Sequence, residues 1–138
     1  MLFDSLIARF RAADRNIRLE TLLDYSRKFR DLPAGLPATS DRDVHRVTEC
    51  QTPVFLWIGA ANGAVTIQAE VPRESPTVRG FVALLQHQLT GATPADVAEI
   101  PDDLLDRLAL TETLGMMRTQ GLTAILLRVK RGVAAASP

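Results

Sequence analysis

The chain has only one cysteine in its 138 residues, Cys50. A single thiol cannot close an internal disulfide, and it cannot supply the several thiolates that a structural zinc ion or an iron–sulfur cluster requires. The two histidines, His45 and His87, do not complete a metal-ligand cluster, so we expect no metal site. Cys50 is therefore a buried spectator, a site for a sulfur bond to another molecule, or a nucleophile. A lone unpaired cysteine also suits a reducing compartment, and we expect a cytoplasmic protein.

The chain also lacks an excess of charge and any long apolar run. Lysine plus arginine and aspartate plus glutamate number 16 each, which gives a formal net charge of zero. This balance argues against a general nucleic-acid binder, whose affinity depends on surplus basic side chains facing phosphates. No apolar run approaches the roughly 18 residues that a membrane helix needs. The first residues do not form a signal peptide, because Asp4, Arg9 and Arg11 interrupt the apolar pattern. We expect neither nucleic acid nor membrane as a partner.

The composition that remains is typical of an ordinary globular protein. Hydrophobic residues make up 46% of the chain and charged residues 23%. A chain of 138 residues is long enough to bury a substantial core and short enough for one core. We therefore expect a single domain over residues 1–138.

Apolar residues recur at helical spacing towards both ends of the chain. Stripes over residues 2–10 and 19–29 predict two adjoining helices, with one bent helix as the alternative. An irregular connection rich in proline and glycine follows over 31–41. Stripes over 78–89 and 122–129 predict two further helices near the C-terminal end.

Local signals mark where several of these helices begin. Ser75-Pro76 has the pattern of an N-cap followed by a proline in the first turn. Thr93 and Asp96 have the spacing of a capping box and predict a short helix. Another short segment starts at Pro101.

The middle of the chain predicts strands. Val54–Ile58 is a continuous apolar run rich in β-branched and aromatic residues. Asn62-Gly63 suits a tight hairpin turn, and apolar residues alternate from Val65 to Val71. The segment 45–48 could add a third strand, which would place Cys50 in the loop between two strands. The predicted fold class is α+β: two N-terminal helices, a small antiparallel sheet of about three strands, and C-terminal helices packed on the sheet.

The neighbours of Cys50 leave its chemistry open. They are polar, which is not typical of a cysteine that only fills a core, yet free cysteines are commonly buried. Glu49 should disfavour the thiolate, whereas Arg46 should favour it. A pair of Cys50 with His45 would need an orienting group and an oxyanion hole, and no such signature surrounds them. We interpret His45 as a polar residue at a strand edge and His87 as a surface or boundary residue.

Gly80 is unusual in the interior of a predicted helix. A glycine there costs about 1 kcal/mol relative to alanine. Its presence predicts that another part of the chain packs closely against this helix, with the loop that carries Cys50 as one candidate.

Three separate segments resemble one family, the SufE-like sulfur acceptor proteins. Residues 46–56 are similar to the family's Arg-Val-x-Gly-Cys-Gln-Ser-x-Val-Trp-Leu segment. Residues 74–85 resemble its acidic residue, small residues and Ile-Val-Lys-Gly before a leucine-rich helix. Residues 108–122 resemble its Leu-x-Leu…Leu-Ser-Pro-Ser-Arg-x-Asn-Gly-Leu stretch. The segments agree with the family in order and spacing from the second helix onward.

The resemblance implies a function for Cys50. Members of the family accept sulfur from a cysteine desulfurase as a persulfide on one cysteine, stimulate that enzyme, and deliver the sulfur to the iron–sulfur cluster scaffold complex. The protein would then be a sulfur-transfer accessory protein rather than a stand-alone enzyme. No cofactor is expected on this chain, because pyridoxal phosphate belongs to the desulfurase. The family fold, helices around a small sheet with the cysteine on a loop, agrees with the predicted pattern, and the resting thiol is expected to be shielded until a partner docks.

The resemblance also implies supporting residues. Arg118 is expected near the cysteine, where it would orient the loop or stabilise a thiolate or persulfide anion. Gln51, Glu74 and Arg79 are expected to support the site or to bind the partner.

The chain departs from the family pattern at several positions. Glu49 replaces a glycine before the cysteine and adds bulk and charge, Thr52 replaces a serine, and Glu74 replaces a common aspartate. Residues 115–117 replace Ser-Pro-Ser. The main alternative is therefore a non-catalytic module of the same fold that binds a desulfurase but accepts sulfur weakly. A thiol hydrolase is a third hypothesis, for which the sequence offers no identifiable base or oxyanion donor.

Overall fold

The computed structural model describes residues 2–32 and 42–136. Most of the predicted irregular connection, residues 33–41, lies outside these ranges. The described elements, in chain order, are α1 (Asp4–Ala12), α2 (Arg15–Arg27), a 3-10 turn (Arg42–His45), β1 (Phe55–Ala61), β2 (Ala64–Glu70), α3 (Pro76–Gln88), α4 (Pro94–Ala98), α5 (Leu104–Arg107), α6 (Leu110–Leu114) and α7 (Met116–Ala136).

The N-terminal stripes form two helices rather than one bent helix. The backbone of Ala13 is extended, with φ −86° and ψ 154°, and ends α1. Asp14 then caps α2, because its carboxylate accepts a hydrogen bond of 2.9 Å from the backbone N–H of Ile17. Two helical stripes with an N-cap between them therefore fold as two helices.

β1 and β2 form the predicted antiparallel hairpin. The register runs from Phe55 opposite Glu70 to Ala61 opposite Ala64. Asn62 and Gly63 connect the strands with φ angles of 55° and 79°, which asparagine and glycine tolerate better than other residues.

The predicted third strand is wrong. Among the described residues the sheet has two strands, and only Arg46 makes an isolated bridge, to Phe55. The pairing stops because the chain turns just after Val47: the backbone N–H of Cys50 bonds back to the carbonyl of Val47 at 3.2 Å. His45 correspondingly ends a 3-10 turn rather than lying on a strand edge. Its ring stacks on Trp57 with centroids 5.0 Å apart.

The helix starts differ in how they are capped. Thr93 and Asp96 form the predicted capping box at α4, with reciprocal side-chain to backbone hydrogen bonds of 3.1 and 3.0 Å. Ser75 lies at the N-cap position of α3 and Pro76 at the first helical position, but the Ser75 side chain makes no capping hydrogen bond. Proline alone suits this position, since its fixed φ is helical and no N–H is lost.

Gly80 contacts α2, not the loop of Cys50. A Cβ atom on Gly80 would lie 2.2 Å from the carbonyl oxygen of Leu22, so only glycine allows the two helices to approach this closely. Every residue of α3 from Gly80 to Gln86 is buried. The close packing that the sequence predicted is present, with a different neighbour.

The C-terminal helices complete the α+β fold. α7 packs on β1, with the predicted apolar stripe over 122–129 on its buried face. It begins at Met116, so that Arg118 and Gly121 belong to its first turns. None of the described helices combines the length and the apolar character of a membrane span.

Candidate functional site

Cys50 lies on a loop whose two ends are fixed in the core. Val47 and Val54 flank the loop and are both 0% exposed. The hydrogen bond between their backbones closes the loop, and the N–H of Cys50 bonds to the carbonyl of Val47 at 3.2 Å. The loop is therefore short and anchored at its base, while its residues 48–53 face α7 and solvent.

The thiol itself is shielded by α7. Cys50 is 6% exposed, and it belongs to the main cluster of buried apolar residues. On α7, a Cβ atom added to Gly121 would lie 3.3 Å from the sulfur of Cys50. This spacing is tighter than an ordinary contact, so the absence of a side chain at Gly121 is what lets the loop lie flat on the helix.

Burial determines the protonation state of the thiol. It raises the pKa of Cys50 above the ordinary value of 9.0, whereas hydrogen bonds from the backbone and side chain of Thr52 and the positive charge of Arg46 act in the opposite direction with less effect. At neutral pH the shielded thiol is therefore protonated and a poor nucleophile. The sequence suggested Glu49 as the group that disfavours the thiolate, but the main cause in the structure is desolvation.

A groove of about 660 Å³ with both polar and apolar lining residues lies beside the thiol. Three stretches of the chain line it: residues 49–52 of the loop, residues 74–78 before and at the start of α3, and residues within 117–122 at the start of α7. The three stretches that are similar to one family in sequence thus meet around a single opening.

Four of the five predicted site residues line this groove. Cys50 and Gln51 come from the loop, Glu74 precedes α3, and Arg118 lies in the first turn of α7. Gln51, Glu74 and Arg118 are exposed. Neither Glu74 nor Arg118 has a hydrogen bond or ion pair to another residue in the part of the chain that the structure describes. Both charges are consequently available to a bound molecule.

Arg79 lies elsewhere. Its guanidinium donates a hydrogen bond of 2.7 Å to the carbonyl of Val71 and lies 4.1 Å over the ring of Phe29. It also approaches Asp31 at 3.6 Å, and only 11% of its side chain is exposed. These contacts tie α3 to the segments before it and after α2, and they lie outside the groove beside Cys50.

Glu49 stands at the rim of the groove and faces α7. Its carboxylate accepts a hydrogen bond of 3.3 Å from the Thr48 hydroxyl and lies 3.9 Å from the guanidinium of Arg131. Its own backbone N–H, then Thr48, Arg131 and Arg128 lower the pKa of Glu49, so that it is charged at neutral pH. The residue that replaces the family's glycine thus adds a contact between the loop and the last helix.

Sequence reasoning missed Arg128. This residue of α7 donates hydrogen bonds to the carbonyls of Arg46 at 3.1 Å and Val44 at 2.6 Å, immediately before the loop. Its spacing offered a signal, because Gly121 and Arg128 are two helical turns apart and share one face of α7. It also missed Met117, which is 80% exposed at the edge of the groove.

In the described ranges, no three histidine, cysteine, aspartate or glutamate side chains come together in a way that could hold a metal ion. The chemistry available at the groove is therefore that of one thiol with polar and charged side chains around it.

Fold and site together define a small α+β protein that shields a single thiol on a loop beside a groove of mixed polar and apolar lining. The family model described as the SufE Fe-S metabolism associated domain matches residues 4–133. The chain belongs to the SufE family, as the three segments predicted, and this relates it to iron–sulfur metabolism.

Relatives agree with this membership. An uncharacterized SufE-like protein of Mycobacterium tuberculosis is 30% identical over 127 residues, which cover 91% of this chain and 87% of that protein. Another, from Synechocystis, is 28% identical over 117 residues, covering 84% of this chain and 70% of the other. The solution structure of a hypothetical protein from Thermus thermophilus superimposes with a TM-score of 0.83 at 32% identity, over 98% of this chain and 95% of that one.

Proposed function

We propose that the chain is a sulfur acceptor, in which Cys50 takes persulfide sulfur from a cysteine desulfurase, stimulates that enzyme, and delivers the sulfur to an iron–sulfur cluster scaffold complex. Residues 1–138 would act as one SufE-like domain. We place this reaction in the cytoplasm, because a lone thiol stays reduced there. The observation that carries the proposal is the meeting of the three family segments around the Cys50 thiol.

The transfer needs one thiol and no change in overall oxidation state. The Cys50 thiolate attacks the terminal sulfur of the desulfurase persulfide, a new sulfur–sulfur bond forms on Cys50, and the old bond breaks. The desulfurase cysteine leaves as a thiolate and takes up a proton. A thiol of the scaffold complex then removes the carried sulfur in the same way, which returns Cys50 to its starting state.

The groove supports the proposal through its size and its free charges. A volume of about 660 Å³ lies in the range of sites that enclose a ligand or a short peptide segment. We assign Arg118 to the stabilisation of the thiolate or persulfide anion, since a guanidinium makes strong hydrogen bonds to anions. Gln51 and Glu74 would contact the partner's segment. We assign Arg79, which lies outside the groove, an indirect role through the position of α3.

Shielding of the thiol has a consequence for the mechanism. A protonated, buried thiol does not attack a persulfide, so the loop has to lift from α7 for the reaction. We infer that docking of the desulfurase supplies this opening. Alkylation of Cys50 at neutral pH should then be slow in the free protein and faster with the partner, and fast labelling of the free protein would contradict the shielded state.

Mass measurement tests the main proposal directly. The protein is mixed with a purified cysteine desulfurase and cysteine, and the intact mass is compared with that of Cys50→Ser. We expect one or more added sulfur atoms on the parent chain alone, together with faster desulfurase turnover. No added mass and no stimulation relative to Cys50→Ser would rule the proposal out.

Glu49 favours a second candidate, a desulfurase-binding module that accepts sulfur weakly. Its charge and its contact with Arg131 lie beside the thiol, where relatives of the family commonly have glycine. Binding to the desulfurase without stimulation or added sulfur would support this candidate over the first.

A further inference from the structure

We infer that Arg128 is a positioning residue: it holds the Cys50 loop closed on α7 and so determines how often the thiol can be reached. The inference rests on the proposed function only in taking Cys50 as the reacting thiol. It concerns the free protein, without a desulfurase or a cluster scaffold.

Arg128 connects the base of the loop to the helix that covers the thiol. Its two donors reach the carbonyls of Val44 and Arg46, which lie three residues and one residue before Val47 in the chain. Both bonds carry the charge of the guanidinium, and such bonds are about twice as strong as neutral ones. Arg128 thus fixes the backbone at two points: at Val44 in the 3-10 turn, and at Arg46, from which the chain leads into the loop.

Arg42 and His45 also connect this segment to the sheet. Arg42 pairs with Glu70, and the ring nitrogen of His45 lies 3.0 Å from the carbonyl of Leu56. No residue of the 3-10 turn is buried, so apolar packing holds the segment only weakly. Loss of Arg128 would remove its two hydrogen bonds between this segment and α7 and leave the contacts with the sheet in place.

The ion pair between Glu49 and Arg131 is the competing attachment, and it is the weaker one. Its atoms are 3.9 Å apart, and the two side chains are 54% and 63% exposed. Exposed pairs of this kind contribute little to stability, because water screens the two charges. Arg128, which is half-buried and makes two shorter bonds, is the stronger polar attachment, and it acts in addition to the apolar packing of Val47 and Val54.

Closure matters because the thiol is shielded only where the loop lies on Gly121. Gly121 and Arg128 are separated by two turns of α7, a rise of about 10 Å. The loop spans this distance along one face of the helix, with its base held at Arg128 and its thiol packed at Gly121. Without Arg128 the buried Val47 and Val54 still anchor the two ends of the loop, but the hydrogen bonds from the preceding segment to α7 are lost. The loop then tilts away from Gly121 more often, which exposes the sulfur to water and to reagents.

The test is the rate at which iodoacetamide alkylates Cys50 in the free protein. We expect Arg128→Met to be alkylated at least about tenfold faster than the parent chain, since the loss of one charge-assisted hydrogen bond alone shifts an opening equilibrium by about that factor and this variant loses two. Arg128→Lys keeps the charge but reaches only one carbonyl, and its rate should fall between the two. Arg131→Met, on the next turn of the same helix, serves as the matched control and should change the rate by less than about twofold.

Two readouts separate positioning from a general loss of stability. Alkylation through local opening is insensitive to low concentrations of urea, whereas alkylation through global unfolding rises with the full denaturant slope. In Arg128→Met the thiol more often leaves its buried site, around which Arg46, Glu49, Glu74 and Arg118 lie, and burial then no longer raises its pKa. The pH profile of alkylation should therefore also move to lower pH. An unchanged rate, or an increase with the urea dependence of global unfolding, would overturn the inference. If Arg128→Met does not fold, Arg128→Lys is judged by the same two readouts.

Discussion

Gly121 packs against the sulfur of Cys50 so closely that a methyl group on this glycine would lie 3.3 Å from the sulfur atom. The same methyl group would lie 3.8 Å from both Cα and Cβ of Cys50. Gly121, a residue of the last helix, therefore determines how closely the Cys50 loop can pack on that helix. A substitution at Gly121 should therefore change the reactivity of Cys50 and the free energy of unfolding independently.

Gly121→Ala should make Cys50 more reactive without a large loss of stability. The alanine methyl displaces the loop by a few tenths of an ångström, and the sulfur becomes more exposed. Alanine in a helix gains up to about 1 kcal/mol over glycine, which offsets much of the cost of crowding. We expect alkylation of Cys50 to accelerate several-fold while the free energy of unfolding in urea changes by less than about 1 kcal/mol.

Gln120→Ala is the matched control for this substitution. Gln120 is exposed on the same turn and lines the groove, so its truncation removes a side chain without touching the packing of the thiol. An equal acceleration in both variants would mean that the contact with Gly121 does not limit access.

This contact is of a kind that the sequence alone does not predict, because it joins residues that are distant in the chain. The helical stripes, the Asn62-Gly63 hairpin and the capping box at Thr93 are properties of neighbouring residues, and all were predicted. The convergence of the groove segments followed from a resemblance and not from periodicity. Glycine at position 80 signalled a close approach but could not name the neighbour, because any backbone can use the space that a missing Cβ leaves.

The error over the third strand has a similar origin. The residues from His45 to Thr48 are compatible with a strand by type, but the carbonyl of Arg46 accepts a hydrogen bond from Arg128, and the carbonyl of Val47 accepts one from the backbone N–H of Cys50 in a turn. The secondary-structure propensity of a segment does not reflect hydrogen bonds from a side chain that is distant in the sequence. Arg128 lies on the same face of α7 as Gly121. Its role could be inferred only after the structure had placed the Cys50 loop on that face.

Stability should fall at alkaline pH in a way that depends on Cys50. Burial raises the pKa of the folded thiol above its ordinary value of 9.0, so the unfolded chain loses this proton at a lower pH than the folded chain. The contribution to stability is full below pH 9 and is lost as the pH rises from there through the folded pKa.

The comparison with Cys50→Ser isolates this contribution, because lysine and tyrosine titrate in the same range in both proteins. We expect the free energy of unfolding of the parent chain, minus that of Cys50→Ser, to be constant from pH 6 to pH 8 and to decrease above about pH 9. A difference that is flat up to pH 10 would mean that the pKa of the thiol is not raised.

Loss of Arg118 should mainly lower sulfur acceptance, whereas loss of Arg79 should mainly lower the free energy of unfolding. Arg118 is exposed in the groove without a partner among the described residues, so Arg118→Met should change the free energy of unfolding by no more than about 0.5 kcal/mol. If it stabilises the anion on Cys50, sulfur acceptance should fall about tenfold.

Arg79→Met provides the contrast. The guanidinium of Arg79 is almost buried and bonds to the carbonyl of Val71, which the variant would leave without its donor. We expect a loss of about 1–3 kcal/mol in the free energy of unfolding. Sulfur acceptance, measured by intact mass under conditions where the variant is folded, should change less than in Arg118→Met. The reverse order would place the important arginine outside the groove.

Replacement of Glu49 distinguishes its charge from its bulk. Glu49→Gln removes the charge at nearly constant size, and Glu49→Gly restores the small residue that the family commonly has before its cysteine. The ion pair with Arg131 is long and exposed, so its loss should change alkylation of Cys50 by less than about twofold in either variant. Under the proposed function, sulfur acceptance from a desulfurase should depend on the residue more strongly, because the lifted loop would have to enter the active site of that partner.

We therefore expect Glu49→Gly to accept sulfur several-fold faster than the parent chain, and Glu49→Gln to fall between them if the charge matters in addition to the bulk. Initial rates of mass increase at low and high salt separate the two contributions, since salt screens only the charge. Arg131→Met is the control, because it breaks the same pair and leaves Glu49 in place. Equal rates in all four proteins would show that the departure at Glu49 has no effect on transfer, and the weak-acceptor hypothesis would lose its structural basis.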